Sequence, residues 1–122
     1  MKSSVGIIFL LCIPMLCPLV GCFAPEKPSL TSDDPALKIP AMAKSGADKD
    51  EKAVGQLVKD LNNDDPAVRF YAITALKEIT GNSFDYRYYE DDLERLPALK
   101  RWQEWLATRK AGATQPSATN SR

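Results

Sequence analysis

The apolar run from Val5 to Val20 sets the terms on which the rest of the chain can fold, because it withholds hydrophobic side chains from any globular core. Of the 54 apolar residues, 14 fall in positions 1–21 and 40 in the other 101, where 14 are alanine and only 26 are larger. A domain so supplied buries a modest core and is marginal alone. The chain therefore has room for one small domain and none for a large enclosed active-site cavity. The run itself is 16 residues long, short of the roughly 20 needed to span a bilayer, and Pro14 and Pro18 interrupt it.

Met1-Lys2-Ser3-Ser4 gives this run a short positive start, and a small residue and a cysteine end it, the order of parts expected of an export signal. Leu19-Val20-Gly21-Cys22 resembles the lipobox of bacterial lipoproteins. The resemblance implies a signal peptide over 1–21, removal before Cys22, and diacylglyceryl and acyl chains on the Cys22 thiol. It places the protein in a bacterial cell envelope, held to the membrane by lipid. Cys12 and Cys17 follow bulky residues and do not fit the motif. A cleaved signal with a chance cysteine and an uncleaved membrane helix are the alternatives, the latter opposed by the two prolines. Two or more acyl chains give stable anchoring, since each buried methylene contributes about 0.8 kcal/mol. Phe23 stands where aspartate acts as an inner-membrane retention signal, which favours the outer membrane in double-membrane organisms that use that rule.

A chain beginning at Cys22 carries fifteen basic and sixteen acidic side chains, a net charge of −1, so nucleic-acid binding loses its electrostatic basis. Its one cysteine would be acylated, leaving no disulfide to staple the fold. From Cys22 to Ala47, Pro25, Pro28, Pro35 and Pro40 with Ser29, Thr31, Ser32 and Ser45 leave no period, and we expect a disordered linker with extended polyproline II stretches.

The domain is expected over 48–110. Between Asp48 and Asn62, Val54, Leu57, Val58 and Leu61 recur at helical spacing, with Asp48 or Asp50 able to cap the start. Asp65 then reads as N-cap and Pro66 as N1 of a second helix running to Thr80. Its buried stripe is Val68, Ala72, Ala75, Leu76 and Ile79, and Gly81 closes it. Asp64-Asp65-Pro66-Ala67-Val68-Arg69, followed by Ala72, Ala75 and Leu76, resembles the core of a HEAT-type repeat, including the short version in phycobilin-lyase-like proteins. The resemblance covers one repeat and implies a turn held by Arg69 through Asp64 or Asp65. Because such arrays need about three repeats, a single one needs a substitute neighbour. Leu99, Trp102, Trp105 and Leu106 mark a third helix from Pro97 to Lys110 that can cap the hairpin. The expected fold is thus all-α: one HEAT-like hairpin capped by a tryptophan helix, behind the leader and linker.

The connection Asn82 to Glu90 holds Tyr86, Arg87, Tyr88 and Tyr89, either a binding surface of favoured anchor residues or tyrosines laid over the hairpin with Arg87 paired to Glu90 or Asp91. The stretch from Thr80 to Leu106 also resembles a C-terminal extension of small bacterial HEAT proteins. Residues 111–122 have no period and read as a disordered tail. Histidine is absent and the glycines form no phosphate loop, which removes histidine-based triads, the usual zinc sets and nucleotide motifs. The acidic groups at 64–65 and 90–92 sit at helix starts, where capping explains them. We therefore expect no catalysis, metal or cofactor beyond the acyl chains. The expected role is an adaptor binding an envelope protein, or a structural lipoprotein that stacks on itself.

Overall fold

A computed structural model describes residues 24–114. The leader 1–21 with Leu19, Val20 and Gly21, the cysteine at 22, and the tail from 115 lie outside the described residues. The described chain is helical, with α1 (Pro35–Ala47), a 3-10 turn (Glu51–Ala53) running into α2 (Val54–Asp60), α3 (Pro66–Thr80) and α4 (Asp92–Thr114). No strand occurs among the described residues.

Two of these helices begin on the same four residues. Asp-Asp-Pro-Ala occurs at 33–36 and again at 64–67, and in both the second aspartate caps the helix while the proline takes N1. Asp34 accepts a hydrogen bond from the Ala36 amide at 2.8 Å, and Asp65 from the Ala67 amide at 2.7 Å. Each cap satisfies one amide that the first turn leaves without a partner. At the other end of α3, Gly81 takes the left-handed conformation at φ 76°.

The helix α1 corrects the expectation of a disordered linker reaching Ala47. Its prolines sit where a helix tolerates them. Pro35 is N1, and Pro40 removes only the bond to the exposed Ala36. Met42 of α1 is wholly buried, and Gly46 lies so close to α3 that a Cβ there would meet the Ala75 Cα at 3.0 Å. Before α1, Leu30 packs on the core and the Ser29 amide donates to the Leu37 carbonyl at 3.1 Å. The first expected helix is also shorter than Asp48–Asn62. Lys49 turns back at φ 52°, Asp50 caps the 3-10 turn through the Lys52 amide at 3.0 Å, and α2 ends at Asp60.

The α2–α3 turn at 61–65 makes these helices antiparallel, and α1 runs the same way as α3, since its first turn meets the end of α2 and its last turn meets the end of α3. Fifteen buried apolar residues join into one core, centred on Met42, Leu57, Leu61, Leu76 and Trp102. The tryptophan helix does cover the hairpin, but it starts at Asp92 rather than Pro97. Asp91 accepts from the Glu94 amide at 3.0 Å, and Pro97 stands inside α4, freeing only the carbonyl of Leu93, a residue 78% exposed. The helix also continues to Thr114, so residues 111–114 are not a disordered tail.

Two buried cations have opposite surroundings. Lys38 Nζ meets Asp60 Oδ1 at 2.9 Å, with side chains 8% and 5% exposed, and Gln56 adds bonds to the same carboxylate at 3.3 and 3.2 Å. Arg95 is as deeply buried, yet its partner Asp92 is 91% exposed, and its Nε and Nη1 find no acceptor among the described residues.

Removing one member of a buried pair leaves an uncompensated charge, at a cost of about 3–5 kcal/mol. Lys38→Met is expected to destabilise the fold by that amount in urea unfolding, whereas Arg95→Met, whose partner Asp92 is already in water, leaves stability equal or higher. A Lys38→Met protein as stable as its parent would disprove the role given to this pair. Because α1 completes the core, a fragment beginning at Asp48 is expected to lose the cooperative transition that residues 24–114 retain, as followed by tryptophan fluorescence.

Candidate functional site

Between α3 and α4 the chain folds back over the hairpin as a pinned loop. Phe84 and Asp85 both adopt left-handed backbone, at φ 48° and 59°, a conformation disfavoured for residues with side chains. The Phe84 ring stands edge-on to Trp102 at 4.8 Å, and Arg101 holds the Phe84 carbonyl at 3.0 Å. Trp105 lies 5.5 Å from Trp102, also edge-on, and its outer side carries the Arg109 guanidinium at 4.8 Å. Both tryptophans thus serve packing, Trp102 entirely and Trp105 in part.

The four residues Tyr86 to Tyr89 are divided by this geometry. Tyr86 is buried, and its hydroxyl donates to the Leu61 carbonyl at the end of α2. It therefore holds the loop down and does not belong to an exposed surface. Arg87 is exposed and paired with Glu90 at 3.1 Å. Tyr88 is half-buried, and Tyr89 is 67% exposed.

Arg69 joins this loop to the hairpin turn. Its Nη1 donates to the Asn63 and Asp64 carbonyls at 2.7 and 2.8 Å, and its Nε to the Tyr88 carbonyl at 2.9 Å. The turn is thus held through main-chain oxygens, and the carboxylates of Asp64 and Asp65 are not its acceptors. Asp65 caps α3, with Pro66 at N1.

What the arrangement presents to solvent is a ladder of rings. Phe70, on the outer side of α3 and 41% exposed, stands edge-on to Tyr88 at 5.0 Å, and Tyr88 to Tyr89 at 5.4 Å. Tyr71 also stands edge-on to Phe70, at 5.3 Å. A shallow groove beside the ladder is lined by Ile73, Thr74 and Lys77 of α3 and by Ser83, Asp85 and Arg87 of the loop. Phe70 escaped the sequence reading. Its signal was a large apolar residue off the stripe of Val68, Ala72, Ala75 and Leu76. Leu93 and Leu96, at the start of α4, are also exposed, at 78% and 54%.

The remaining acidic groups have structural partners: Asp91 caps α4, Asp92 meets Arg95 and Glu90 meets Arg87. No group of three or more potential ligands able to hold a metal occurs among the described residues. No described helix is long and apolar enough to cross a membrane. The chain matches no protein-family model, no curated protein and no solved structure.

Burial raises the Tyr86 phenol above its ordinary value of 10.0, against the opposing pull of the Arg95 and Arg69 charges. The folded chain thus holds the phenol neutral more firmly than the unfolded chain does. That contribution is whole below pH 10 and lost as pH rises through the higher folded value. Tyr86→Phe is expected to cost about 1–3 kcal/mol near neutral pH by leaving the Leu61 carbonyl without its donor. Its stability is expected to fall less steeply than the parent's above pH 10, as read by urea unfolding across that range.

Proposed function

We propose that the chain is a lipid-anchored protein of the bacterial cell envelope whose HEAT-like helical module binds other proteins. The observation that carries this reading is the solvent-facing ladder formed by Phe70 of α3 with Tyr88 and Tyr89 of a loop that Tyr86 holds down from beneath. Aromatic and arginine side chains are favoured anchors at interfaces, and a preordered loop loses less conformational freedom on binding. The recurrence of Asp-Asp-Pro-Ala at α1 and α3 supports descent from a repeated helical unit. The lipobox residues Leu19 to Cys22 support the anchor, with acyl chains on Cys22 the only covalent group in the reading. Phe23 supports outer-membrane sorting. The reading includes no catalytic step, no metal and no nucleic acid.

The alternative, a structural lipoprotein stacking its repeats on copies of itself, draws less support. One end of the module has residues 28–31 lying along α1, and the other is covered by α4. Both resemble the atypical terminal caps that close solenoids.

Growth with labelled palmitate is expected to label the wild-type chain, and Cys22→Ser to abolish the label and release the protein from the membrane fraction. Retained label in Cys22→Ser would remove the anchor from the proposal. A photocrosslinking residue at position 89 is expected to give a reproducible protein adduct that one at exposed position 59 does not. Identical patterns from both positions would remove the aromatic face.

A further inference from the structure

We propose that the first turn of α4, residues 92–96, is a two-state switch hinged at Pro97. It alternates between the helical turn of the structure and an extended form in which Arg95 turns out to water and Leu96 turns in to the core. Such a switch stands apart from the protein-binding reading and goes beyond it.

The turn has its side chains inside out. Arg95 continues the buried face of α4, since it stands three, four and seven residues before Ala98, Leu99 and Trp102, all buried. That face suits an apolar side chain. It holds instead a guanidinium only 2% exposed, whose Nε and Nη1 find no acceptor among the described residues. Buried donors without acceptors are destabilising. Around the same turn Leu93 and Leu96 are exposed to solvent. Exposed leucines are ordinary when they occur singly. Here they stand one and two residues from the buried arginine, so a single rearrangement of the turn relieves both faults.

Pro97 supplies the hinge. A proline disfavours helical backbone at the residue before it, here Leu96, and pushes that residue toward extended conformations. It also leaves the Leu93 carbonyl without a helix partner, so the turn is joined to the rest of α4 by one bond fewer. A helix that begins at Pro97 has its proline at N1, where the ring meets no preceding carbonyl of the helix. Two contacts hold the turn as it is: the Asp91 carboxylate accepts from the Glu94 amide at 3.0 Å, and Arg95 meets Asp92. Asp92 is 91% exposed, so water replaces that partner readily when Arg95 turns out. Five residues thus carry opposed preferences of the kind that populates two conformations. Asp92 and Leu93 also line the recess completed by Asp64, Arg69, Glu90 and Asp91, so the change redraws one of its walls.

Amide hydrogen exchange of the full chain, resolved by residue, tests the switch. A helix starting at Asp92 pairs the amides of Ala98, Leu99 and Lys100 with the carbonyls of Glu94, Arg95 and Leu96. These three amides are expected to exchange together through a local opening, with protection at least tenfold below that of Trp102 to Leu106, which open with the whole fold. Leu96→Ser separates a switch from ordinary fraying of a helix end. Serine is the weaker helix former, so fraying makes Ala98 to Lys100 exchange faster in this variant. The switch makes them exchange at least tenfold slower, because the extended form loses the side chain it buries while the helical form, with position 96 exposed, changes little. Protection of Trp102 to Leu106 in the same protein reports any change in the fold as a whole. Pro97→Ala is also expected to slow the three amides, by restoring a bond to the Leu93 carbonyl and freeing Leu96 to stay helical. Protection of Ala98 to Lys100 equal to that of Trp102 to Leu106 overturns the proposal. Unchanged or faster exchange in Leu96→Ser overturns it as well, as does exchange in Pro97→Ala that is not slowed.

Discussion

The guanidinium of Arg69 is the point on which the aromatic face depends. A single side chain from the first turn of α3 collects the carbonyls of Asn63, Asp64 and Tyr88, so the hairpin turn and the returning loop share one donor. Hydrogen bonds from a charged donor contribute more than neutral ones, about 1.5–3 kcal/mol. Arginine suits this role because its planar fork addresses several acceptors at once, which the ammonium of a lysine does not match. At the corresponding place in α1 the chain has Lys38, and there the partner is one carboxylate. The two related helix starts thus divide the work: one basic residue fixes α1 to α2, and the other fixes the turn to the loop.

Much of α3 was legible because its signals are local. Asp65, Pro66 and Gly81 each act within one turn of themselves, and the structure uses all three as the helix limits. The same Asp-Asp-Pro-Ala at 33–36 was equally available, but it sits among prolines and serines that resemble a spacer. Pro40 hid the helix because a period-based reading treats every proline as a terminator, whereas a helix of 13 residues survives the loss of one bond near its start. Pro97 displaced the start of α4 for the same reason.

The division of the loop was beyond a reading of spacing. Which of Tyr86, Tyr88 and Tyr89 faces inward is set by two consecutive left-handed residues, Phe84 and Asp85, and neither asparagine nor glycine marks the place. The packing of Phe84 on Trp102 and the bond from Arg101 to its carbonyl make that backbone tenable. The Lys38–Asp60 pair has no local signature either, because its members are joined across the fold by burial and not by sequence distance.

The early onset of packing has a consequence for where a partner can be. With Leu30 lodged on the core and Ser29 bonded to α1, the free chain between the proposed lipid on Cys22 and the folded body is about seven residues. Fully extended, that spans about 25 Å. The module would travel as a buoy on a short mooring, unable to sample depths far from the headgroups. On that proposal its encounters would become two-dimensional, and a weak contact between neighbours would be reinforced by confinement in one plane, as joining two modules by a short linker raises their effective concentration. Affinity measured in solution would then understate the association that the same surfaces reach on a membrane.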